Sequence, residues 1–173
     1  MKLAIVVAEN YRDQELNDTV AQLSSHEITI TSSKTGTVSG ADGGSCEATM
    51  LTSDIVVENF DGIVLIGGPG MAQAIDSKDS LYSAALGNVK AFSSAGKLVA
   101  AICISPIILA DAGLLLGKNA TVWDSGGVQK GKLGAAGATY KAEPVVQDGK
   151  IITANGPNAA SGFGKAIAGH SGR

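Results

Sequence analysis

Short, unbroken apolar runs alternate along the chain with segments in which apolar residues recur every three or four positions. The runs Leu3 to Ala8, Ile63 to Ile66 and Leu98 to Cys103 are rich in β-branched residues and bounded by glycine or polar residues. Runs of that kind fit strands buried on both faces, as in a parallel sheet covered by helices. Between them, Glu15 to Leu23 places Leu16, Val20 and Leu23 on one helical face. Asp79 to Phe92 does the same with Leu81, Ala85, Val89 and Phe92, with Asp79 as its N-cap. Strand, helix and strand in repetition predict right-handed crossovers and a flavodoxin-like α/β fold: a doubly wound, mostly parallel sheet with helices on both faces.

Two stretches break the alternation. Residues 35 to 50 carry Gly36, Gly40, Gly43 and Gly44 among Thr, Val and Ser, which predicts a hairpin or edge strands. Asp148-Gly149, between Val145-Val146 and Ile151-Ile152, predicts a second hairpin. With no linker, repeat or low-complexity tract, the expectation is one domain over residues 1–173.

Composition narrows the function classes. A net charge of −3 without a Lys/Arg run offers no footprint for nucleic acid and no seat on an anionic membrane. The opening apolar run is too short for a span and lacks a signal-peptide cleavage pattern, so the expected location is the cytoplasm. Two cysteines, Cys46 and Cys103, with no CxxC motif, are expected as free thiols. The only histidines are His26 and His170, too few with these cysteines for a zinc site, so no metal is expected.

Chemistry is expected beyond the carboxyl ends of the strands, where loops and helix N-termini converge. Ile102-Cys103-Ile104-Ser105-Pro106 joins a strand to a helical stretch, Ile107 to Ala112, that Gly113 stops. A cysteine on so tight a turn projects from the sheet, and the N–H groups of the next helix would lower its pKa. The alternative is a small buried hydrophobe ending a core strand. Leu65-Ile66-Gly67-Gly68-Pro69-Gly70 lets the backbone approach a ligand and offers N–H groups to an oxyanion. It is neither a dinucleotide nor a phosphate-loop motif, and no cofactor is implied. In Tyr11-Arg12-Asp13-Gln14-Glu15-Leu16, Asp13 suits the helix dipole, while Glu15 falls in the first turn and can point back over the strand ends.

Together these segments resemble the DJ-1/PfpI superfamily. The stretches that carry the resemblance are Asp13-x-Glu15-Leu16, Gly67-Gly68, Ala101-Ile102-Cys103-x-x-Pro106, Ala112-Gly113-Leu114-Leu115 with Gly117-Lys118, and Gly156-Pro157, in family order along the whole chain. The resemblance implies that Cys103 is a nucleophile in a strained conformation and that Glu15 is a carboxyl, protonated, bonded to its sulfur. It also implies that Gly68 and Ile104 supply oxyanion N–H groups, and that Gly156 and Pro157, with the neighbouring Asn155 and Asn158, line the pocket. A flavodoxin-like fold and a homodimer are implied as well.

The chain departs from the family where a base would stand. Protease-like members place a histidine after the cysteine; here that residue is Ile104. Other members carry one at the end of the following strand; here that place holds Trp123. His26 and His170 are expected to lie away from the site, His170 near a frayed end. Asp124 is the remaining ionisable group expected near the pocket, its alternative being a solvated loop aspartate. Without an imidazole, peptide hydrolysis lacks a proton donor for the leaving amine. Isocyanide hydration is weakened by Ile104 and Ser105, where those relatives carry a Thr beside the cysteine. Two readings lead: cysteine-dependent chemistry on a small-molecule electrophile, namely a reactive carbonyl, as in glyoxalase- or deglycase-like members, or a redox-responsive protective protein with an oxidisable Cys103; a peptidase or amidase with little turnover, or an isocyanide hydratase, ranks below both. Cys46 is expected to be a bystander.

Overall fold

A computed structural model describes residues 1–170. The strands are β1 (Lys2–Val6), β2 (Glu27–Ser32), β3 (Gly36–Ser39), β4 (Ser45–Ala48), β5 (Met50–Leu51), β6 (Gly62–Leu65), β7 (Leu98–Ile102), β8 (Asn119–Ala120), β9 (Thr139–Tyr140), β10 (Val145–Asp148) and β11 (Ile151–Ala154). The helices are α1 (Asp13–Ala21), α2 (Pro69–Ser77), α3 (Ser80–Ser94), α4 (Pro106–Asp111), α5 (Val128–Ala135) and α6 (Ala160–Ala168).

Seven of these strands form the central sheet, in the order β10-β11-β7-β6-β1-β2-β5. All neighbours in it are parallel except β10 with β11. The chain runs from β1 outward to β2 and β5, then returns to the other side of β1 for β6, β7 and β11. The order therefore reverses between β1 and β6, which opens a crevice at their carboxyl ends.

The central runs are apolar on both faces because helices cover both. Ala4, Val6, Ile63, Leu65, Val99 and Ala101 pack with Phe92 of α3, Met71 of α2 and Ile108 of α4. Leu3, Ile5, Val64, Ala100 and Ile152 pack on the opposite side with Leu16 of α1 and Phe163 of α6. Helix α6 crosses α1 closely: a Cβ on Gly164 would lie 2.6 Å from Thr19 O. That crossing fixes α1, and with it the segment Arg12 to Glu15.

The expected elements appear with ends shifted by one or two residues. Asp79 caps α3, its Oδ1 accepting the Tyr82 N–H at 2.9 Å. Asp148 ends β10, and Gly149 adopts φ +63 in the turn to β11. In the glycine-rich stretch, β3 and β4 pair antiparallel as a separate ribbon, while β5 joins the edge of the main sheet beside β2. The extended segment Thr121 to Trp123 is bonded to neighbouring segments but continues no strand beyond β8. Among the described residues no helix is long and apolar enough to cross a membrane.

Candidate active site

Cys103 sits one residue past the end of β7 with φ +64, a left-handed conformation in which a residue with a Cβ is strained by roughly 1–3 kcal/mol. Two backbone bonds hold it there. Its N–H donates to Ala154 O at 2.9 Å, and its carbonyl accepts the Trp123 N–H at 2.8 Å. The turn aims the side chain away from the sheet into a cavity of about 630 Å³, which Arg12, Gly68, Ile104, Trp123 and Pro157 also line. Pro106 starts α4, and Ser105 is committed elsewhere, its hydroxyl donating to Ile66 O at 3.0 Å.

Glu15 lies beneath this cavity, fully buried. Its Oε2 accepts the Gly67 N–H at 2.8 Å. Oε1 has no nitrogen or oxygen partner, and the carboxyl lies within hydrogen-bonding reach of the Cys103 thiol. Gly67 makes this proximity possible, because a Cβ there would stand 2.6 Å from Cys103 Cβ and 2.9 Å from Glu15 Oε2. Gly68 is required twice over: its φ is +113, and a Cβ would stand 2.4 Å from Arg12 N.

Burial dominates the electrostatics. It pushes the Glu15 carboxyl up to about 7, against the pull of the Cys103 contact, the Gly67 N–H and the Arg12 charge. The thiol differs from the helix-dipole expectation. Burial first, then Glu15, push Cys103 upward, and the N–H groups of Gly68 and Ile104 offset only part of this. The physical reason is desolvation: a thiolate buried beside the Glu15 carboxyl loses more hydration than the start of the six-residue α4 returns. Near neutral pH, therefore, sulfur keeps its proton and Glu15 is the group that titrates.

The other expected residues divide. Cys103, Gly68, Ile104, Trp123 and Pro157 share the cavity. Trp123 is 42% exposed rather than part of the core. Asp124, Asn155 and Gly156 face an adjoining hollow of about 440 Å³ on the far side of Trp123 and Pro157. The Asp124 carboxylate is occupied in capping α5: it accepts N–H groups from Gly127, Gln129 and Lys130, each at 3.0 Å. Both histidines lie at the opposite, amino end of the sheet. His26 precedes β2, and His170 lines a hollow with Met1, Asp61 and Lys97. The His170 backbone is anchored by an N–H bond to Ile167 O. Cys46 lies on β4 beside the Tyr11 hydroxyl, with its thiol pushed up by burial. Asn158, expected with its loop, lines the cavity as well, whereas sequence reasoning passed over Arg12, Gln14, Asp42 and Ala72. Arg12 was visible beside Glu15, but only the folded β3–β4 ribbon brings Asp42 to it. Among the described residues no cluster of three or more His, Cys, Asp or Glu could hold a metal ion.

The molecule is thus a doubly wound α/β protein whose strained cysteine, on a strand–helix elbow, stands over a buried carboxyl. The chain belongs to the DJ-1/PfpI family, whose model matches residues 1–170. It is 31% identical over 159 residues to the deglycase of Pyrococcus horikoshii, covering 91% of each chain. The crystal structure of a ThiJ/PfpI domain protein from Brachyspira murdochii superposes with a TM-score of 0.86 at 28% identity, over 97% of this chain and 94% of that one. Oxidized DJ-1 of Toxoplasma gondii superposes at 0.79 with 29% identity, over 96% and 88%.

Proposed function

We propose that this protein carries out cysteine-dependent chemistry on small reactive carbonyls, with Cys103 as nucleophile and Glu15 as its proton acceptor and donor. The observation that carries the reading is the pairing of a strained Cys103 with a fully buried Glu15 that titrates near 7. A carboxylate with so high a pKa is a base matched to neutral pH, and it needs no imidazole beside it.

The Cys103 Sγ–H proton passes to Glu15 while sulfur forms a bond to the carbonyl carbon. The π pair moves onto oxygen, where the N–H groups of Gly68 and Ile104 receive the developing charge. Glu15 then returns the proton to that oxygen, giving a neutral hemithioacetal. Trp123 and Pro157 narrow the cavity, favouring small substrates over chain-like ones. The deglycase relative is consistent with this class of chemistry.

Methylglyoxal consumption tests the reading. Cys103→Ser should abolish it, and Glu15→Gln should lower it by about 10²–10⁴-fold, the usual worth of a placed acid–base group. Consumption by Cys103→Ser at the wild-type rate would refute it.

A second reading is favoured by the same three groups around sulfur. Glu15 and the N–H groups of Gly68 and Ile104 could hold the oxygens of an oxidised Cys103. Two peroxide molecules in succession would supply the oxygens, each O–O bond breaking as an S–O bond forms and one water leaving each time, first to the sulfenic acid and then to the sulfinate. Mass spectrometry after peroxide treatment, showing oxidation confined to Cys103 and stopping at sulfinate only when Glu15 is present, supports this reading.

A further inference from the structure

One charged pair is built into the rim of an otherwise mostly apolar cavity. Arg12 and Asp42 both line it, with Arg12 Nη1 2.7 Å from Asp42 Oδ1. Separate contacts fix the two partners. The Arg12 backbone N–H donates to Gly67 O at 3.1 Å, and the Asp42 backbone N–H donates to Asp13 Oδ2 at 2.7 Å. Asp13 is only 8% exposed, and it fills the space above two glycines. A Cβ on Gly40 or Gly44 would stand 2.1 or 2.0 Å from Asp13 Oδ1. The sequence Gly40-Ala41-Asp42-Gly43-Gly44 is thus shaped around Asp13 so that Asp42 reaches Arg12.

Stability does not account for this construction. A partly exposed ion pair contributes about 0–1 kcal/mol, whereas burying the Asp13 carboxylate with Oδ1 lacking a nitrogen or oxygen partner is costly. What the construction does is orient a guanidinium. Its five N–H donors form a planar fork, and among the described residues Asp42, at Nη1, is the one acceptor that meets them. A guanidinium bonded to a carboxylate on one edge still offers the other edge to a second.

We propose that Arg12, oriented by Asp42, is the specificity-determining residue of the Cys103 cavity: it forms an anion subsite, and the carbonyl compounds the cavity takes best carry a carboxylate close to their electrophilic carbon. The carbonyl part rests on the function proposed above; the anion subsite does not. The electrophilic carbon meets Cys103, its oxygen meets Gly68 and Ile104, and the carboxylate lies on the open edge of Arg12. Glu15, below the floor, takes no part in holding the anion.

Two alkylating reagents of nearly equal size separate these claims. Iodoacetate is an anion and iodoacetamide is neutral, and both react with the Cys103 sulfur. The ratio of their rates at Cys103, divided by the same ratio for N-acetylcysteine, reads anion guidance alone, since any change in thiol reactivity cancels. Arg12→Gln should lower this ratio by about tenfold, and Arg12→Lys, which keeps charge without the fork, should fall between. Added salt should also lower the wild-type ratio. An unchanged ratio in Arg12→Gln, with Cys103 still alkylated, overturns the proposal. Glyoxylate and methylglyoxal are then tested for protection of Cys103 against iodoacetamide. Stronger protection by glyoxylate, lost in Arg12→Gln, supports the whole proposal. A falling ratio with no protection by either compound keeps the anion subsite and refutes the carbonyl chemistry. Protection by methylglyoxal with an unchanged ratio keeps the chemistry and refutes the role of Arg12.

Discussion

At the scale of single residues, Cys103 is a nucleophile candidate because of its backbone as much as its sulfur. A φ of +64 is costly for any residue with a Cβ, and the bonds to Ala154 and Trp123 over-determine it. The strain predicts a stability order. Cys103→Gly and Cys103→Ala both remove the thiol, but only glycine relaxes the left-handed turn. Chemical denaturation should find the glycine variant more stable by about 1 kcal/mol. An alanine variant of equal or greater stability would show that the elbow is unstrained. The elbow was legible in the sequence, because an apolar run ending at Cys103-Ile104-Ser105-Pro106 leaves little room for any other connection. The thiol's ionisation was not. Helix-dipole reasoning pointed down, and burial of the thiol, with Glu15 beside it, turned the balance upward.

At the scale of elements, three loops at the carboxyl ends of β1, β6 and β7 carry Glu15, Gly68 and Cys103, a fourth joins from the β3–β4 ribbon, and Trp123 and Pro157, from beyond β8 and β11, complete the wall. The first three were readable from glycines and a carboxylate following apolar runs. The fourth was not, since a cluster of glycines reveals a tight turn without revealing what occupies the space that the missing side chains leave. Here Asp13 occupies it. Gly44→Ala should therefore push a Cβ into the Asp13 carboxyl and destabilise the protein by about 1–3 kcal/mol. It should also loosen the hold of Asp13 on the Asp42 N–H. Thermal unfolding within error of wild type would mean that the ribbon yields freely and does not position Asp42. Trp123 marks a further limit of the sequence reading. It was expected on a strand, but β8 ends at Ala120, and an extended segment bonded to Thr153 and Cys103 carries the indole to the cavity.

Across the whole molecule, the two ends of the sheet differ in chemistry. Cys103, Glu15 and Arg12 gather at the carboxyl end, while both histidines lie at the amino end, so no imidazole of this chain reaches the site. The fold itself was the most legible feature, because runs apolar on both faces admit few arrangements other than a covered parallel sheet. Its stability should record the buried carboxyl. Folding raises Glu15 from about 4.5 to about 7, so the folded state binds more protons than the unfolded state in that window. Stability from this group is fully present below pH 4.5 and falls as pH rises to about 7, by up to about 3 kcal/mol in all. Glu15→Gln should flatten that part of the stability–pH curve in chemical denaturation. A wild-type curve already flat there would mean that Glu15 titrates normally.

Proton transfer from Cys103 to Glu15 is read by the pH dependence of Cys103 alkylation with iodoacetamide, followed by mass spectrometry in wild type and Glu15→Gln. In the wild type the rate should rise through pH about 7, as Glu15 ionises and becomes able to accept the thiol proton, and then level off. In Glu15→Gln that step should vanish, leaving slow alkylation that climbs only in the alkaline range where a buried thiol ionises unaided. Identical profiles in the two proteins, or a wild-type rate that is flat between about pH 5 and pH 9, would mean that Glu15 does not take the thiol proton.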